Sequence, residues 1–136
     1  MDIRICIDVD NLERATAFYT DGLGLRTGRR FDGGFVEILG GSSPIDLLLK
    51  PAGSQPLASN PALRSYQRHW TPVHLDFVVD DIEATIARLL RHGGVLESPV
   101  AERSWGRIAG LADPFGHGID LLQFKGRGYD ELLSNP

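Results

Sequence analysis

The sequence is poor in cysteine and in long apolar runs, and both shortages exclude whole classes of protein. Its single cysteine, Cys6, cannot form an internal disulfide, and Cys6 and the four histidines show no zinc-finger spacing. No apolar run approaches the roughly 20 residues that cross a bilayer. The first residues, 1–5, lack the apolar segment of a signal peptide. We therefore expect a soluble protein of the cytoplasm with no membrane partner.

An excess of positive charge is also missing. Fourteen Lys and Arg against 18 Asp and Glu leave a net charge of −4, and residues 1–50 and 51–136 each carry −2. Binding of nucleic acid needs clustered basic side chains that neutralise phosphates, so nucleic acid is not an expected partner. The composition, 42% hydrophobic and 24% charged, is that of an ordinary globular domain.

An internal repeat is the most informative feature of the chain. Residues 4–13 (RICIDVDNLE) and 74–83 (HLDFVVDDIE) share their apolar pattern at a constant offset of 70. Each copy predicts a strand followed by a helix, with Asp10 and Asp80 as helix N-caps. Glu13 and Glu83 follow three positions later, as in a capping box.

Three strand-like segments separated by glycine turns follow each predicted helix. They cover about residues 26–31, 35–39 and 45–50 in the first copy, and about 95–100, 107–111 and 118–124 in the second. Each copy is therefore a βαβββ module, and the fold class is α+β.

The chain is then one domain, 1–136, made of two modules. The first module covers residues 1–50, a proline-containing linker 51–69, the second module 70–124 and a C-terminal tail 125–136. A lone module of about 50 residues buries little surface, so we expect the two modules to share an interior.

Strand alternation predicts which side chains face away from the helices. On the first strands these are Arg4, Asp8, His74 and Asp76, and on the last strands Asp46, Lys50 and Asp120. Buried charges are costly unless they are paired, hydrogen-bonded or bound to metal. The surface that carries them is therefore a solvated pocket or a functional site.

Three motifs in this order resemble the vicinal oxygen chelate superfamily, which includes glyoxalases, bleomycin-resistance proteins and extradiol dioxygenases. They are residues 9–25 (VDNLERATAFYTDGLGL), 74–82 (HLDFVVDDI) and 113–121 (DPFGHGIDL). The resemblance implies two tandem βαβββ modules whose curved sheets surround a central cleft, with the helices outside. It also implies a homodimer, because relatives usually pair and open sheets leave edges that need cover.

The resemblance implies metal ligands at four strand positions. Metal-using relatives offer a His on the first strand of each module and a Glu or His on the last, which correspond here to Arg4, Asp46, His74 and Asp120. Arg4 has no lone pair for a metal, and an Asp reaches less far than a Glu. The candidate ligands are therefore His74, Asp120 and Asp46, and the expected cofactor is none or a weakly bound divalent metal. The alternative for Asp46 is an ion pair with Arg4.

Four further side chains are candidates for binding a small-molecule substrate. Trp70 and Trp105 offer flat faces for stacking, and Arg4 and Arg107 offer positive charge to an anion. Packing at the linker and between the modules is the alternative role for the tryptophans.

Three functions compete. The first is a binding protein of the glyoxalase and bleomycin-resistance type, with a small-molecule pocket between its modules and a degenerate metal site. The second is a metal-dependent lyase or isomerase acting on a small oxygenated metabolite, in which Asp120 or Asp46 moves the proton. The third is a catalytically silent member that serves oligomerisation. An extradiol dioxygenase is disfavoured, because its iron needs two histidines and the pocket face offers only His74.

Overall fold

Two four-stranded sheets, each with one α-helix on its apolar face, form the computed structural model, which describes residues 1–133. The chain divides into two units, residues 1–67 and the residues from 68 onward. Each unit has the element order of a βαβββ module, so the predicted α+β class and the duplication are confirmed.

The first unit contains four strands, one α-helix and a π-helical turn. In chain order they are β1 (Ile5–Val9), α1 (Leu12–Ala17), the π-helical turn (Phe18–Gly22), β2 (Arg26–Phe31), β3 (Phe35–Leu39) and β4 (Ile45–Leu49). The strand order is β1-β4-β3-β2. Strands β1 and β4 are parallel, and the other neighbours are antiparallel.

The second unit repeats this topology. It contains β5 (Leu75–Val78), α2 (Ile82–Arg91), β6 (Val95–Arg103), β7 (Gly106–Ala112), β8 (Gly118–Phe124) and a 3₁₀ helix (Gly128–Leu132). The strand order is β5-β8-β7-β6, again with the first and last strands of the module parallel. Strand β6 runs three residues beyond its predicted end. The predicted tail, 125–136, contains the 3₁₀ helix, and its residues 134–136 lie outside the described part of the chain.

The predicted alternation places the core correctly. Val9, Ile45 and Leu47 are buried in the first sheet, and Ile119 and Leu121 in the second. The helices cover these side chains with buried apolar residues of their own: Ala15, Phe18, Tyr19, Ile82 and Leu89. The opposite face of each sheet is therefore left to the polar side chains.

The predicted helix caps are wrong by one residue. Asn11 and Asp81 are the N-caps, and their side chains accept hydrogen bonds from the backbone N–H of Arg14 and Ala84, both at 2.9 Å. The third position of each helix is therefore Arg14 or Ala84 rather than a glutamate, so no capping box forms. Two neighbouring residues in each copy have N-cap side chains, and the sequence alone does not decide between them.

The segment predicted as a linker is largely part of the first unit. Arg64 forms an ion pair with Asp8, with Nε 2.7 Å from Oδ2. The Tyr66 hydroxyl donates to the Lys50 carbonyl at 2.6 Å. These contacts hold residues 51–67 against the first module.

No helix within residues 1–133 is long and apolar enough to span a bilayer; the longest, α2, has ten residues.

Candidate functional site

A four-residue ion cluster occupies the polar face of the first sheet. The Arg4 guanidinium binds both oxygens of Asp46, with Nε 2.8 Å from Oδ2 and Nη2 2.6 Å from Oδ1. The same Nη2 lies 2.7 Å from Oε2 of Glu37. Arg29 completes the cluster by donating from Nη2 to the same Glu37 oxygen at 2.5 Å. The ion pair between Arg4 and Asp46 that the sequence offered as an alternative to metal binding is therefore present.

The two carboxylates of this cluster are buried and neutralised. The side chains of Glu37 and Asp46 are only 5% and 7% exposed. Hydrogen bonds from Arg29 and then from Arg4 lower the pKa of Glu37 from 4.5 to about 2. Two arginines balance two carboxylates, so the cluster is closed to a further cation.

A second group of polar side chains lies at the equivalent place in the second sheet. His74 precedes β5, Asp76 lies on β5, and Asp120 lies opposite Asp76 on β8. The Nδ1 atom of His74 is 2.7 Å from Oδ1 of Asp76 and 3.9 Å from Oδ2 of Asp120. Burial, and then the neighbouring charge of Asp76, raise the pKa of Asp120. Unlike the first cluster, this one has no arginine among its members.

A pocket of about 240 Å³ opens beside Asp120 and His74. Trp70, with 78% of its surface exposed, stands at its edge. Arg68 and Glu97 also line the pocket and bind each other, with Nε 2.6 Å from Oε1. Ligand contacts available in the pocket therefore include an aromatic face, an imidazole, a carboxylate and a preformed ion pair.

Gly110 and Ser98 form the side of the pocket next to Asp120. The same three residues line an adjoining cavity of about 230 Å³ towards Arg103. A Cβ atom added at Gly110 would lie 3.3 Å from Cβ of Ser98 and 3.4 Å from Oδ1 of Asp120. The absence of a side chain at residue 110 keeps this part of the sheet surface open.

Of the four predicted substrate-binding residues, Trp70 alone lines this pocket. Trp105 packs against Phe124 and Tyr129, with ring centroids 5.9 and 4.9 Å away. Arg107 binds Glu83 of α2, on the helix-covered face of the sheet, and Nε also lies 2.9 Å from Glu102. Arg4 belongs to the ion cluster of the first module.

Several residues of both sites were not among the metal ligands or substrate-binding residues predicted from the sequence. Glu37 is signalled by alternation, because it lies between buried Val36 and Ile38 and so shares the face of Asp46. Alternation did place Asp76 on the polar face, two residues after His74, but Asp76 was not among the predicted metal ligands. The pair of Arg68 and Glu97 joins a loop to a strand, and no sequence pattern indicates it.

The two modules differ in their fitness for a metal ion. In the first, Asp46 has both oxygens engaged by a guanidinium, which offers no lone pair. In the second, one ligand atom from each of His74, Asp76 and Asp120 lies within 4.8 Å of the others. One nitrogen and two carboxylate oxygens are donors that a divalent ion accepts. The residues that fit a metal are therefore these three, with Asp76 as the third donor where Asp46 was predicted.

Comparison with known proteins finds a family model and a curated relative that match this chain. A family model described as a glyoxalase-like domain matches residues 4–122. The anthracycline biosynthesis protein DauV of Streptomyces sp. (strain C5) is 30% identical over 121 residues, which are 85% of this chain and 38% of that protein. The chain thus spans well under half the length of this curated relative.

Solved structures share the fold at low sequence identity. The fosfomycin resistance protein FosX of Listeria monocytogenes superposes with a TM-score of 0.70 at 18% identity, covering 96% of each chain. TnmS3, an antibiotic-binding protein of Streptomyces sp. CB03234, superposes with a TM-score of 0.62 at 22% identity, covering 92% of this chain and 96% of its own.

Proposed function

Because the chain belongs to the glyoxalase-like family of the vicinal oxygen chelate superfamily, we propose that it is a small-molecule-binding protein with a degenerate metal site. The observation that carries this proposal is the pocket of the second module, where Trp70, His74 and Asp120 meet. The closed ion cluster of the first module supports the second half of the proposal, since Arg4 holds the carboxylate that a metal would need.

The ligand we propose is an aromatic natural product of the antibiotic type. An exposed tryptophan beside a polar pocket suits a flat molecule that carries a few polar groups. Two relatives point the same way: DauV is named for anthracycline biosynthesis and TnmS3 for antibiotic binding.

Calorimetric titration with an anthracycline tests this proposal. We expect saturable binding at one site per chain, and Trp70→Ala should weaken it about tenfold, since an aromatic contact contributes roughly 0.5–1.5 kcal/mol beyond its buried area. Phe31→Ala is the matched control, because Phe31 is an exposed aromatic residue of β2 that does not line the pocket. Equal affinity of the Trp70 variant and the wild type would remove the pocket from the proposal.

A metal-dependent lyase or isomerase is the second candidate, favoured by the three donors His74, Asp76 and Asp120. A divalent ion held by them would polarise a carbonyl or enediolate oxygen of a small metabolite. Of the carboxylates proposed to move a proton, Asp120 lines the pocket, whereas both oxygens of Asp46 accept hydrogen bonds from Arg4. Elemental analysis of protein purified without chelator or a histidine tag distinguishes the two candidates: a stoichiometric metal that is lost in His74→Ala supports the enzyme.

We further propose that the chain is a homodimer, since both sheets are open and each outermost strand is paired on one side only within its own sheet. Light scattering at tens of micromolar protein should give twice the mass of one chain. A monomer at that concentration contradicts the dimer and leaves the binding proposal intact.

A further inference from the structure

The two modules place different residues at matching positions of their sheets. Asp46 of β4 lies opposite Glu37 of β3 in the register of the first sheet. Asp120 of β8 lies opposite Gly110 of β7 in the register of the second. The pocket of the second module therefore opens where the first module has the side chain of a glutamate.

The first module shows what its aspartate binds at this position. The Arg4 guanidinium donates to both oxygens of the Asp46 carboxylate, and Glu37 accepts from the same guanidinium. This is the two-point geometry by which carboxylates recognise guanidinium and amidinium groups. A cation supplied by the chain thus fills the site of the first module.

In the part of the second module that the structure describes, no arginine or lysine is paired with Asp120. The residue that matches Arg4 is His74, which precedes β5 as Arg4 precedes β1. Its imidazole lies 2.7 Å from Asp76, a carboxylate that replaces Cys6 of the first module, and 3.9 Å from Asp120. Two carboxylates share one imidazole, so at least one negative charge has no counterpart. The other charged residues that line the pocket, Arg68 and Glu97, neutralise each other.

Resting on the proposed function, we propose that this pocket binds the cationic group of its ligand, an ammonium, amidinium or guanidinium, against Asp120. The group takes the position relative to Asp120 that the Arg4 guanidinium has relative to Asp46. Gly110 admits it, because any side chain there meets Ser98 and Asp120 within 3.4 Å. Trp70 at the edge of the pocket contacts the flat body of the ligand and adds a cation–π attraction.

Three probes of nearly the same shape and different charge test the proposal: benzamidine, benzamide and benzoate. Each is titrated by calorimetry and by the amide shifts of the ¹⁵N-labelled full chain, with EDTA present so that no metal takes part. We expect benzamidine to bind at least about tenfold more tightly than benzamide, because a hydrogen bond to a charged group contributes more than one to a neutral group. The amide of Gly110 should shift on binding.

Two substitutions locate the recognition. Asp120→Asn should remove the preference for benzamidine over benzamide, whereas Asp80→Asn, the same change at an exposed aspartate outside the pocket, should preserve it. Gly110→Ala should weaken the binding of benzamidine and of benzamide alike, because the added methyl group acts sterically and does not change the charge of the pocket. The melting temperature of each variant shows whether it is folded.

The outcomes separate this inference from the function on which it rests. If benzamide or benzoate binds as tightly as benzamidine, or if Asp120→Asn leaves the preference unchanged, recognition of a cation is wrong and the small-molecule pocket stands. If none of the probes binds, no anthracycline binds, and the Gly110 amide signal does not shift, both the recognition of a cation and the proposed function are wrong.

Discussion

Residue 4 determines the chemistry of the first module. Two unit charges 4 Å apart interact by about 4 kcal/mol at an effective dielectric constant of about 20, so a divalent ion at that distance from a fixed guanidinium is repelled by about 8 kcal/mol. Arg4 also occupies both oxygens of Asp46. The Arg4 guanidinium is thus the cation beside Asp46, and unlike a bound metal ion it cannot be removed by a chelator.

Replacing this arginine should create a metal site. In Arg4→His, the imidazole is added and both oxygens of Asp46 are released, while Glu37 keeps its ion pair with Arg29. We therefore expect Mn²⁺ or Zn²⁺ to bind at least about tenfold more tightly than to the parent chain. The parent should carry His74→Ala, so that the donors of the second module do not contribute. Calorimetric titration measures the affinity.

Arg4→Gln in the same parent is the matched control, because it removes the charge and adds no nitrogen donor. Both variants should unfold at lower temperature than the parent, since Glu37 and Asp46 are left buried with one cation fewer. Equal metal affinity of the two variants would show that the imidazole does not act as a ligand.

The helix starts can be tested at the scale of one element. Asp81 caps α2 by accepting from the N–H of Ala84 at 2.9 Å, whereas Asp80 is an exposed residue one position earlier. Asp81→Ala should lower the free energy of unfolding by about 1 kcal/mol. Urea denaturation followed by circular dichroism measures the loss. Asp80→Ala should change the free energy of unfolding by less than about 0.5 kcal/mol, as typical surface substitutions do. A larger effect at Asp80 than at Asp81 would instead support Asp80 as the cap, as predicted from the sequence.

The order of the elements was predictable from the sequence because each element depends on local patterns. Alternation gave the faces of β1 and β5, and glycines gave the turns that end α2 and separate the strands. The facing of Asp76 and Asp120 also follows from alternation, since both lie on the polar face and the two strands are neighbours. These features need no knowledge of the exact cross-strand register.

Side-chain partnerships across irregular pairing were not predictable. Glu37 is reached by Arg29 because the register of β2 against β3 shifts between Thr27 and Arg30. The ion pair of Arg68 and Glu97 depends on the path of a loop. The importance of Gly110 appears only when the register places it opposite Asp120. These contacts depend on cross-strand register and on the path of a loop, and local sequence patterns do not predict either.

At the scale of the whole molecule, the two modules share one topology and differ in the side chains of their polar faces. The first module closes its polar face with arginines of the chain itself, and the second leaves the same face open to a pocket. Duplication supplies two copies of the sheet, and substitutions at a few matching positions separate their roles. The residues that separate them are Arg4, Glu37, His74, Asp76 and Gly110.

The distribution of the tryptophans has a consequence for optical experiments on this chain. Both of its tryptophans, Trp70 and Trp105, belong to the second module. Trp105 is packed against two aromatic rings, whereas Trp70 is largely exposed to water. Tryptophan emission is therefore the sum of a packed and a solvated indole, and neither belongs to the first module. A denaturation curve followed by this emission describes the second module, and one followed by backbone circular dichroism describes both.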